Sequence, residues 1–204
     1  MRVLVITAHA DDLELSMGGT VRKFIEKGDV VDNVIMVDNG GRDEAIEKST
    51  KLLGHKTVFF PKDLYEEDRP VMSSKLVADF EEWLSQNNFT AKLKEYDLIV
   101  THWKEDWHQD HRTCYDLVQS LKRNQPIGVM YFDAIPYNQK YTNFDINVFF
   151  NVTNQMKAKM EAVEAFKDFY EMGLEERIKS YNFYRGQFIK VRFAECFKIE
   201  NMIM

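Results

Sequence analysis

Short apolar runs rich in β-branched residues alternate along the chain with stretches whose apolar residues recur at helical spacing. The first run is Val3-Leu4-Val5-Ile6-Thr7, and Leu15, Val21, Phe24 and Ile25 follow on one helical face. Runs of the first kind predict buried strands, and the helical spacing predicts amphipathic helices. The pattern predicts strands at 2–8, 33–37, 57–60, 97–102 and 129–134, with helices at 13–27, 42–53, 72–87 and 110–123 between them. Gly28 and Gly54 stand just past two of these helices, where glycine commonly ends a helix.

The last third of the chain has a different order of elements. It predicts an extended stretch at 145–152, helices at 153–171 and 174–182, and a second extended stretch at 188–199. Residues 61–71 are charged, include two prolines and predict a loop. No linker, repeat or low-complexity segment divides the chain, so we expect one domain over 1–204. Alternating strands and helices predict an α/β fold: a Rossmann-like, doubly wound, mostly parallel sheet of order 3-2-1-4-5 with a C-terminal helix and strand extension.

Composition narrows the class of protein. The 204 residues carry a formal net charge of −6 without a basic block, which argues against a nucleic-acid partner. The two cysteines, Cys114 and Cys196, cannot form a disulfide framework, so both are expected in the core of a protein from a reducing compartment. The first apolar run is too short for a signal peptide or a membrane span. A cytoplasmic location is therefore expected.

Polar residues gather directly after the first and fourth predicted strands. His9, Asp11, Asp12 and Glu14 follow the first strand, and the segment THWKEDWHQDHR spans the end of the fourth, at 101–112. Four of the five histidines of the chain lie in these two segments. In a sheet of order 3-2-1-4-5 both segments meet in the crevice where the winding reverses. The sequence therefore predicts one polar site at this crevice.

The residue types favour a metal ion over a nucleotide phosphate in that crevice. A phosphate site would need a glycine turn after the first strand, whereas Gly18 and Gly19 fall inside the predicted helix and carboxylates occupy the turn. Crowded carboxylates favour a cation, and imidazoles favour zinc or another transition metal over Mg²⁺. His9 is the natural first ligand. Of the two adjacent aspartates one could bind the metal while the other acts as a general base.

The sequence also leaves open which of His108 and His111 binds the metal, because both can lie on one helical face. Only one of them is needed to complete three protein ligands, which leaves the other to donate a hydrogen bond to a developing oxyanion. His102 is expected to be a buried residue at a strand end, and Glu105 and Asp106 are expected to be solvated loop acids.

The motifs resemble those of the PIG-L/LmbE-like zinc-dependent N-acetylglucosaminyl deacetylase family. AHADDLELSMGGT resembles its A-H-P-D-D-x-E-L-G-x-G-G-T motif, and HQDHR resembles its H-P-D-H motif. Residues 42–54, 149–166 and 184–197 are similar to further segments of the family. Ala10 and Ser16 replace a proline and a glycine of the first motif, and Phe166 stands where many relatives have histidine.

The resemblance assigns roles to particular residues. It implies that His9, Asp12 and His111 bind one zinc ion per chain, or another divalent transition metal. Asp11 would be the general base and later the acid that protonates the leaving amine. His108 would stabilise the oxyanion, with Asp110 orienting it, and Arg42 would contact substrate. Glu14 would be structural support.

Two tryptophans flank the site. Trp107 is assigned to substrate binding because a sugar ring can stack on an exposed indole, although Trp103 and Trp107 could instead shape the loop.

The sequence thus predicts a zinc-dependent hydrolase that removes an N-acetyl group from an amino sugar or sugar conjugate, with sugar nucleotides among the candidates. Its partners are expected to be a small N-acetylated sugar and, as an option, further copies of the chain. Two alternatives stay open. One is a metal-dependent phosphoesterase whose second ion would need Asp106 and Asp110, and the other is a non-catalytic sugar-binding relative.

Overall fold

The computed structural model describes residues 1–65, 69–86, 92–124, 126–133, 144–170 and 172–202. Seven strands in these residues form one sheet of order β3-β2-β1-β4-β5-β7-β6. They are β1 Arg2–Thr7, β2 Val30–Ile35, β3 Lys56–Phe59, β4 Leu98–His102, β5 Gly128–Phe132, β6 Val148–Asn151 and β7 Ala194–Asn201. The first five strands pair in parallel, and β7 lies antiparallel between β5 and β6.

Six α-helices flank the sheet in the described part of the chain. They are α1 Asp12–Glu26, α2 Asp43–Leu53, α3 Ser74–Gln86, α4 Gln109–Leu121, α5 Met156–Glu164 and α6 Leu174–Gln187. Short 3₁₀ turns occur at Lys62–Leu64, Leu93–Glu95, Lys122–Asn124 and Lys167–Phe169. Among the residues described, no helix has both the length and the hydrophobicity that crossing a membrane requires.

Helices cover both faces of the sheet, which explains why β1 is apolar at every position from Val3 to Ile6. Leu4 and Ile6 are fully buried on the face that α3 and α4 cover, together with residues such as Phe80 and Val118. Val3 and Val5 are fully buried on the other face, against α1, α2 and α5. Successive side chains of a strand point to opposite faces, so a strand buried on both sides reads as a continuous apolar run.

The predicted sheet order is confirmed for the first five strands, and the C-terminal extension adds β7 and β6 at one edge. β2 begins at Val30, three residues before its predicted start, because Val31 and the polar Asp32 are also buried in the sheet, as is Asn33 at the predicted start. Tyr96 Oη donates to Asp32 Oδ2 at 2.8 Å, and Thr7 Oγ1 donates to Asn33 Oδ1 at 3.2 Å. These partners allow polar side chains inside a buried strand.

The C-terminal boundaries differ more from the prediction. The helix expected at 153–171 ends at Glu164, and the helix expected at 174–182 continues to Gln187. The extended stretch expected from 188 begins only at Ala194, because the chain first turns back on itself. A Cβ at Gly186 would lie 2.6 Å from the carbonyl oxygen of Val191, so this turn requires glycine. Parts of predicted segments at 66–68, 87, 134 and 171 lie outside the described residues.

Candidate metal centre

The two polar segments meet at the carboxyl ends of the neighbouring strands β1 and β4. After β1, residues 8–11 lead into α1, and Asp11 precedes the first helical residue, Asp12. After β4, residues 103–108 lead into α4, where the ring of His108 accepts a hydrogen bond from the backbone N–H of Asp110. Because β1 and β4 pair in parallel, both helix starts open onto the same edge of the sheet.

The side chains of His9, Asp12 and His111 converge on one point. His111 Nε2 lies 3.3 Å from His9 Nδ1 and 3.4 Å from Asp12 Oδ1, and His9 Nδ1 lies 3.5 Å from Asp12 Oδ2. The Asp12 carboxylate is also fixed by the backbone N–H of His9, which donates to Oδ2 at 2.7 Å. Two imidazoles and one carboxylate form a ligand set that catalytic zinc sites use.

The far nitrogen of each of these imidazoles contacts a carboxylate. His111 Nδ1 lies 2.8 Å from Asp106 Oδ2, and His9 Nε2 lies 3.2 Å from Asp110 Oδ2. A carboxylate accepts hydrogen bonds, so the far nitrogens carry the protons in neutral rings and the near nitrogens present lone pairs. Lone pairs and a carboxylate so close together repel unless a proton or a metal cation lies between them. The donor set therefore fits a metal ion, and the outer carboxylates match the arrangement that orients metal-binding histidines in proteins.

The electrostatics of the cluster also favour positive charge. Burial disfavours the His9 and His111 cations, yet the neighbouring carboxylates outweigh burial and raise their pKa values to about 9 and about 10. Burial likewise disfavours the Asp12 carboxylate, but His111 and His102 hold its pKa well below its usual range. A site that stabilises protons on buried imidazoles this strongly would also stabilise a dication.

Two further histidines lie beside this cluster, and the structure gives them different roles. The ligand atoms of His9, His108 and His111 approach one another closely, as do those of Asp12, His102 and His111. His102 is fully buried, and its Nε2 already accepts the Ala8 backbone N–H at 3.1 Å. The prediction of a buried strand-end residue is confirmed for His102. His108 is about half exposed, and its Nδ1 accepts the Asp110 N–H at 3.2 Å.

Asp11 lies next to Asp12 but faces a different partner. Arg42 Nη1 donates to Asp11 Oδ2 at 3.0 Å, and the same guanidinium lies 4.9 Å from the centre of the Phe169 ring. Burial, with the charge of Asp12, raises the pKa of Asp11, although Arg42 opposes this shift. The structure thus places Asp11 and Arg42 together at the edge of the cluster.

A cavity of about 470 Å³ opens above these residues. His9, Asp11, Asp12, His108 and His111 all line it, and its walls include Arg42, Trp107, Phe169 and Tyr170. Trp107 is 60% exposed, whereas Trp103 is 8% exposed and packs on Tyr131. Of the two indoles predicted near the site, only that of Trp107 is among the residues lining the cavity.

The prediction that Asp106 is a solvated loop acid is wrong. Asp106 is 3% exposed, because the His108 backbone N–H donates to its Oδ1 at 2.8 Å while Oδ2 contacts His111. Asp110 lies closer to His9 than to His108, with Oδ2 3.2 Å from His9 Nε2 and 3.7 Å from His108 Nδ1. Sequence alone cannot separate Asp106 from its neighbour Glu105, because both lie in one polar loop and only the fold of that loop aims a carboxylate inward.

Glu14 is buried beneath the cluster. It accepts a hydrogen bond from Ser49 Oγ in α2, and burial raises its pKa to about 8. Its place fits the structural support that the motif implies.

A model of the PIG-L family, GlcNAc-PI de-N-acetylase, matches residues 4–122 of the chain. The fold is also similar to solved structures. N,N'-diacetylchitobiose deacetylase from Pyrococcus horikoshii is 22% identical with a TM-score of 0.73, covering 97% of this chain and 83% of that one. The 4-carboxy-2-hydroxymuconate hydratase GalB from Pseudomonas putida is 17% identical with a TM-score of 0.77, covering 100% and 97%. A zinc-inhibited form of the teicoplanin deacetylase Orf2 is 14% identical with a TM-score of 0.71, covering 98% and 99%.

Proposed function

The chain belongs to the PIG-L (GlcNAc-PI de-N-acetylase) family, and from this premise we propose that it is a zinc-dependent hydrolase. Its proposed substrate is an amino sugar or amino-sugar conjugate from which it removes an N-acetyl group. The observation that carries the proposal is the convergence of two imidazole nitrogens and a carboxylate within 3.5 Å, with carboxylates on the far side of both rings. The deacetylases among the solved structures of the same fold support the reaction class.

In this proposal His9, Asp12 and His111 hold the metal ion. A bound zinc ion supplies Lewis acidity, which polarises an acyl carbonyl and lowers the pKa of water. Zinc is preferred to Mg²⁺ because two of the three ligands are imidazoles. Asp106 and Asp110 keep His111 and His9 in the tautomers that present their near nitrogens to the ion.

Asp11 takes the proton from the attacking water and later delivers it to the departing amine. Its raised pKa supports the first step, because a more basic carboxylate accepts a proton more readily, and the protonated carboxyl group is then available to donate in the second step. The Arg42 contact at 3.0 Å holds the carboxylate at the edge of the cavity. The bond between the acyl carbon and the nitrogen breaks as the amine leaves, which gives acetate and a free amino sugar.

His108 stabilises the oxyanion as a neutral donor. Its Nδ1 accepts the Asp110 N–H, so the ring proton of the neutral imidazole lies on Nε2, which can donate it. Burial, with nearby His111 and His9, lowers the pKa of His108 and keeps the ring neutral. A neutral N–H donor aimed at developing negative charge contributes to transition-state stabilisation.

Arg42 and Trp107 are the proposed substrate contacts. Both line the cavity, and the exposed indole of Trp107 offers a flat apolar face on which a sugar ring can stack.

The phosphoesterase alternative has less support. The carboxylates that a second metal ion would need, those of Asp106 and Asp110, contact the imidazoles of His111 and His9, and Asp110 Oδ1 also lies 3.3 Å from Arg69 Nη1. Because GalB is a hydratase with the same fold, an assay must distinguish hydration from deacetylation.

The decisive experiment incubates zinc-loaded protein with N-acetylated sugars, sugar nucleotides and lipid-linked sugars and follows each by mass spectrometry. We expect replacement of one acetyl group by hydrogen in a sugar substrate. An unsaturated carboxylic acid incubated in parallel distinguishes a hydratase, which would add water to it. Asp11→Asn should retain zinc and lose at least about a hundredfold in kcat, while His111→Ala should lose zinc. Unchanged turnover in Asp11→Asn, or no deacetylation across the panel by zinc-loaded protein, would contradict the proposal.

A further inference from the structure

Helix α1 is broken one turn after Asp12, a proposed metal ligand. Met17 has φ −138° and ψ 15°, which are not helical values, so the turn Asp12–Ser16 is separated from the rest of the helix. In an unbroken helix the N–H groups of Gly19 and Thr20 would bond to the carbonyl oxygens of Leu15 and Ser16. Here they donate to the carboxylate of Glu195, at 2.9 Å to Oε1 and 2.6 Å to Oε2.

Lys159 supplies a hydrogen-bond donor to the segment of α1 that precedes the break. Its Nζ donates to the Leu15 carbonyl oxygen at 2.9 Å and to Glu195 Oε1 at 2.7 Å. Both charged side chains are fully buried. The Lys159–Glu195 ion pair, which joins α5 to β7, therefore takes over hydrogen bonds that α1 would otherwise make within itself.

The glycine pair Gly18-Gly19 makes this approach possible. A Cβ at Gly19 would lie 2.8 Å from Val152 Cβ and 3.2 Å from Glu195 Oε1, and a Cβ at Gly18 would lie 3.4 Å from Lys159 Cγ. A side chain at Gly19 would push Val152 and Glu195 away from α1, whereas a Cβ at Gly18 would only just contact the Lys159 side chain. The glycines thus serve close packing behind the metal centre.

A buried ion pair seldom adds much net stability, because desolvation of both charges offsets their attraction. The role that we assign to this ion pair is to fix the position of the turn Asp12–Ser16. The turn Asp12–Ser16 includes Asp12, the buried Glu14 and the cavity-lining Leu15. If α1 closed its own hydrogen bonds, this turn would rotate relative to His9 and His111.

We infer that Lys159 and Glu195 are positioning residues that keep α1 broken and so aim the Asp12 carboxylate at His9 and His111. Both lie beyond the segment 4–122 that the family model matches. The inference rests on the proposed metal site but not on the identity of the substrate.

The test compares Lys159→Met, Glu195→Met and the double variant, with Co²⁺ as the probe. Either single variant leaves one unpaired buried charge and should lose stability, whereas the double variant should regain thermal stability because both charges are gone. With Leu15 released, α1 can then form regular hydrogen bonds. We expect the double variant to bind Co²⁺ at least about tenfold more weakly than wild type and to show an altered visible absorption spectrum.

Two controls separate positioning from stability. Val31→Ala removes core volume near the amino-terminal end of β2, away from the carboxyl ends of the strands where the cluster lies, so it should lower thermal stability and leave Co²⁺ affinity unchanged. Lys122→Met/Glu200→Met removes another ion pair of β7, distant from the break, and should also leave affinity unchanged. A folded double variant with wild-type Co²⁺ affinity and spectrum would overturn the inference.

A second measurement does not depend on metal or activity. In amide NMR spectra of the metal-free protein, the double variant should shift the signals of residues 12–16 as well as those of Gly19 and Thr20. Shifts confined to Gly19 and Thr20 would overturn the inference even if wild type bound no Co²⁺. Failure of the deacetylation assay alone would overturn the proposed function while leaving the positioning role supported.

Discussion

Each imidazole of the candidate centre contacts a carboxylate on its far side, so single outer residues are expected to control metal affinity. Asp106→Asn keeps the size of the side chain but removes the charge that fixes the proton on His111 Nδ1. We expect metal affinity to fall by about tenfold to a hundredfold, as is typical when such an outer partner is lost. Competition with a chelator measures the change, and Glu105→Gln in the same loop is the control. Wild-type affinity in Asp106→Asn would show that the contact is incidental.

A second residue-level prediction concerns His55, which lies far from the metal centre. Neither ring nitrogen has a partner in the described part of the chain, and burial lowers the pKa of His55 to about 4. Below the unfolded pKa of about 6.5 the unfolded chain binds a proton that the folded protein excludes. The free energy of unfolding should therefore fall as pH drops from about 6.5 to about 4, by up to about 3 kcal/mol.

Urea unfolding of wild type and His55→Phe across this pH range isolates that contribution, because the variant lacks the titrating group. The wild-type curve should lose stability relative to the variant below about pH 6.5. Parallel pH profiles for the two proteins would mean that His55 binds a proton as readily in the folded protein as in the unfolded chain.

Spacing predicted one polar site containing His9, one of the two adjacent aspartates and one of His108 and His111, because both segments follow strands whose place in the sheet the hydrophobic pattern determines. The choice of Asp12 and His111 came from the family resemblance, and the structure brings their side chains next to His9. Spacing could not predict the inward turn of Asp106, since the backbone of 103–108 decides where that side chain points. The location of the proposed metal ligands depends on sheet topology, which can be read from the sequence pattern. The carboxylates that contact the far nitrogens of the imidazoles depend on loop geometry, which cannot be read from that pattern.

At the level of elements, α1 and α2 are each followed by a glycine with positive φ, and the two glycines differ in the space available for a side chain. Gly28 has φ +85°, and a Cβ added there would have no neighbouring atom within 4 Å. Gly54 has φ +88°, and a Cβ there would lie 2.9 Å from Ile25 Cγ2. Gly28→Ala should cost about 1 kcal/mol of unfolding free energy from left-handed strain alone. Gly54→Ala should cost more, because Ile25 must also move. Equal losses in chemical denaturation would show that Ile25 adjusts freely.

The prediction of strands and helices succeeded where burial and periodicity agree, and it failed where contacts with distant parts of the chain determine where an element breaks or ends. The parallel strands are short apolar runs, so their existence and order follow from the pattern. The break in α1 is invisible to periodicity, because its apolar positions continue on one face through Met17 while the hydrogen bonds that it loses are made by Lys159 and Glu195 far along the chain. The limits of α6 and β7 likewise depend on the turn at Gly186.

At the level of the whole molecule, the proposed ion joins two segments separated by about half the chain. His9 and Asp12 follow β1, and His111 lies in α4 after β4, so an ion bound to all three links both helix starts at one edge of the sheet. Binding that occurs only in the folded state stabilises it by an amount set by ligand concentration over Kd. At a hundredfold excess over Kd the gain is about 3 kcal/mol, which corresponds to roughly 5–10 °C in Tm for a chain of this size.

Differential scanning calorimetry of chelator-treated protein, before and after addition of Zn²⁺, measures this linkage. We expect Tm to rise with Zn²⁺ in wild type and in Asp11→Asn, which keeps all three ligands, and to stay constant in His111→Ala. Because the ion replaces protons that the neighbouring carboxylates hold on His9 and His111, its binding should also release protons into weakly buffered solution. A Zn²⁺-dependent rise in Tm that survives in His111→Ala would place the ion elsewhere in the molecule and remove the link between the two segments.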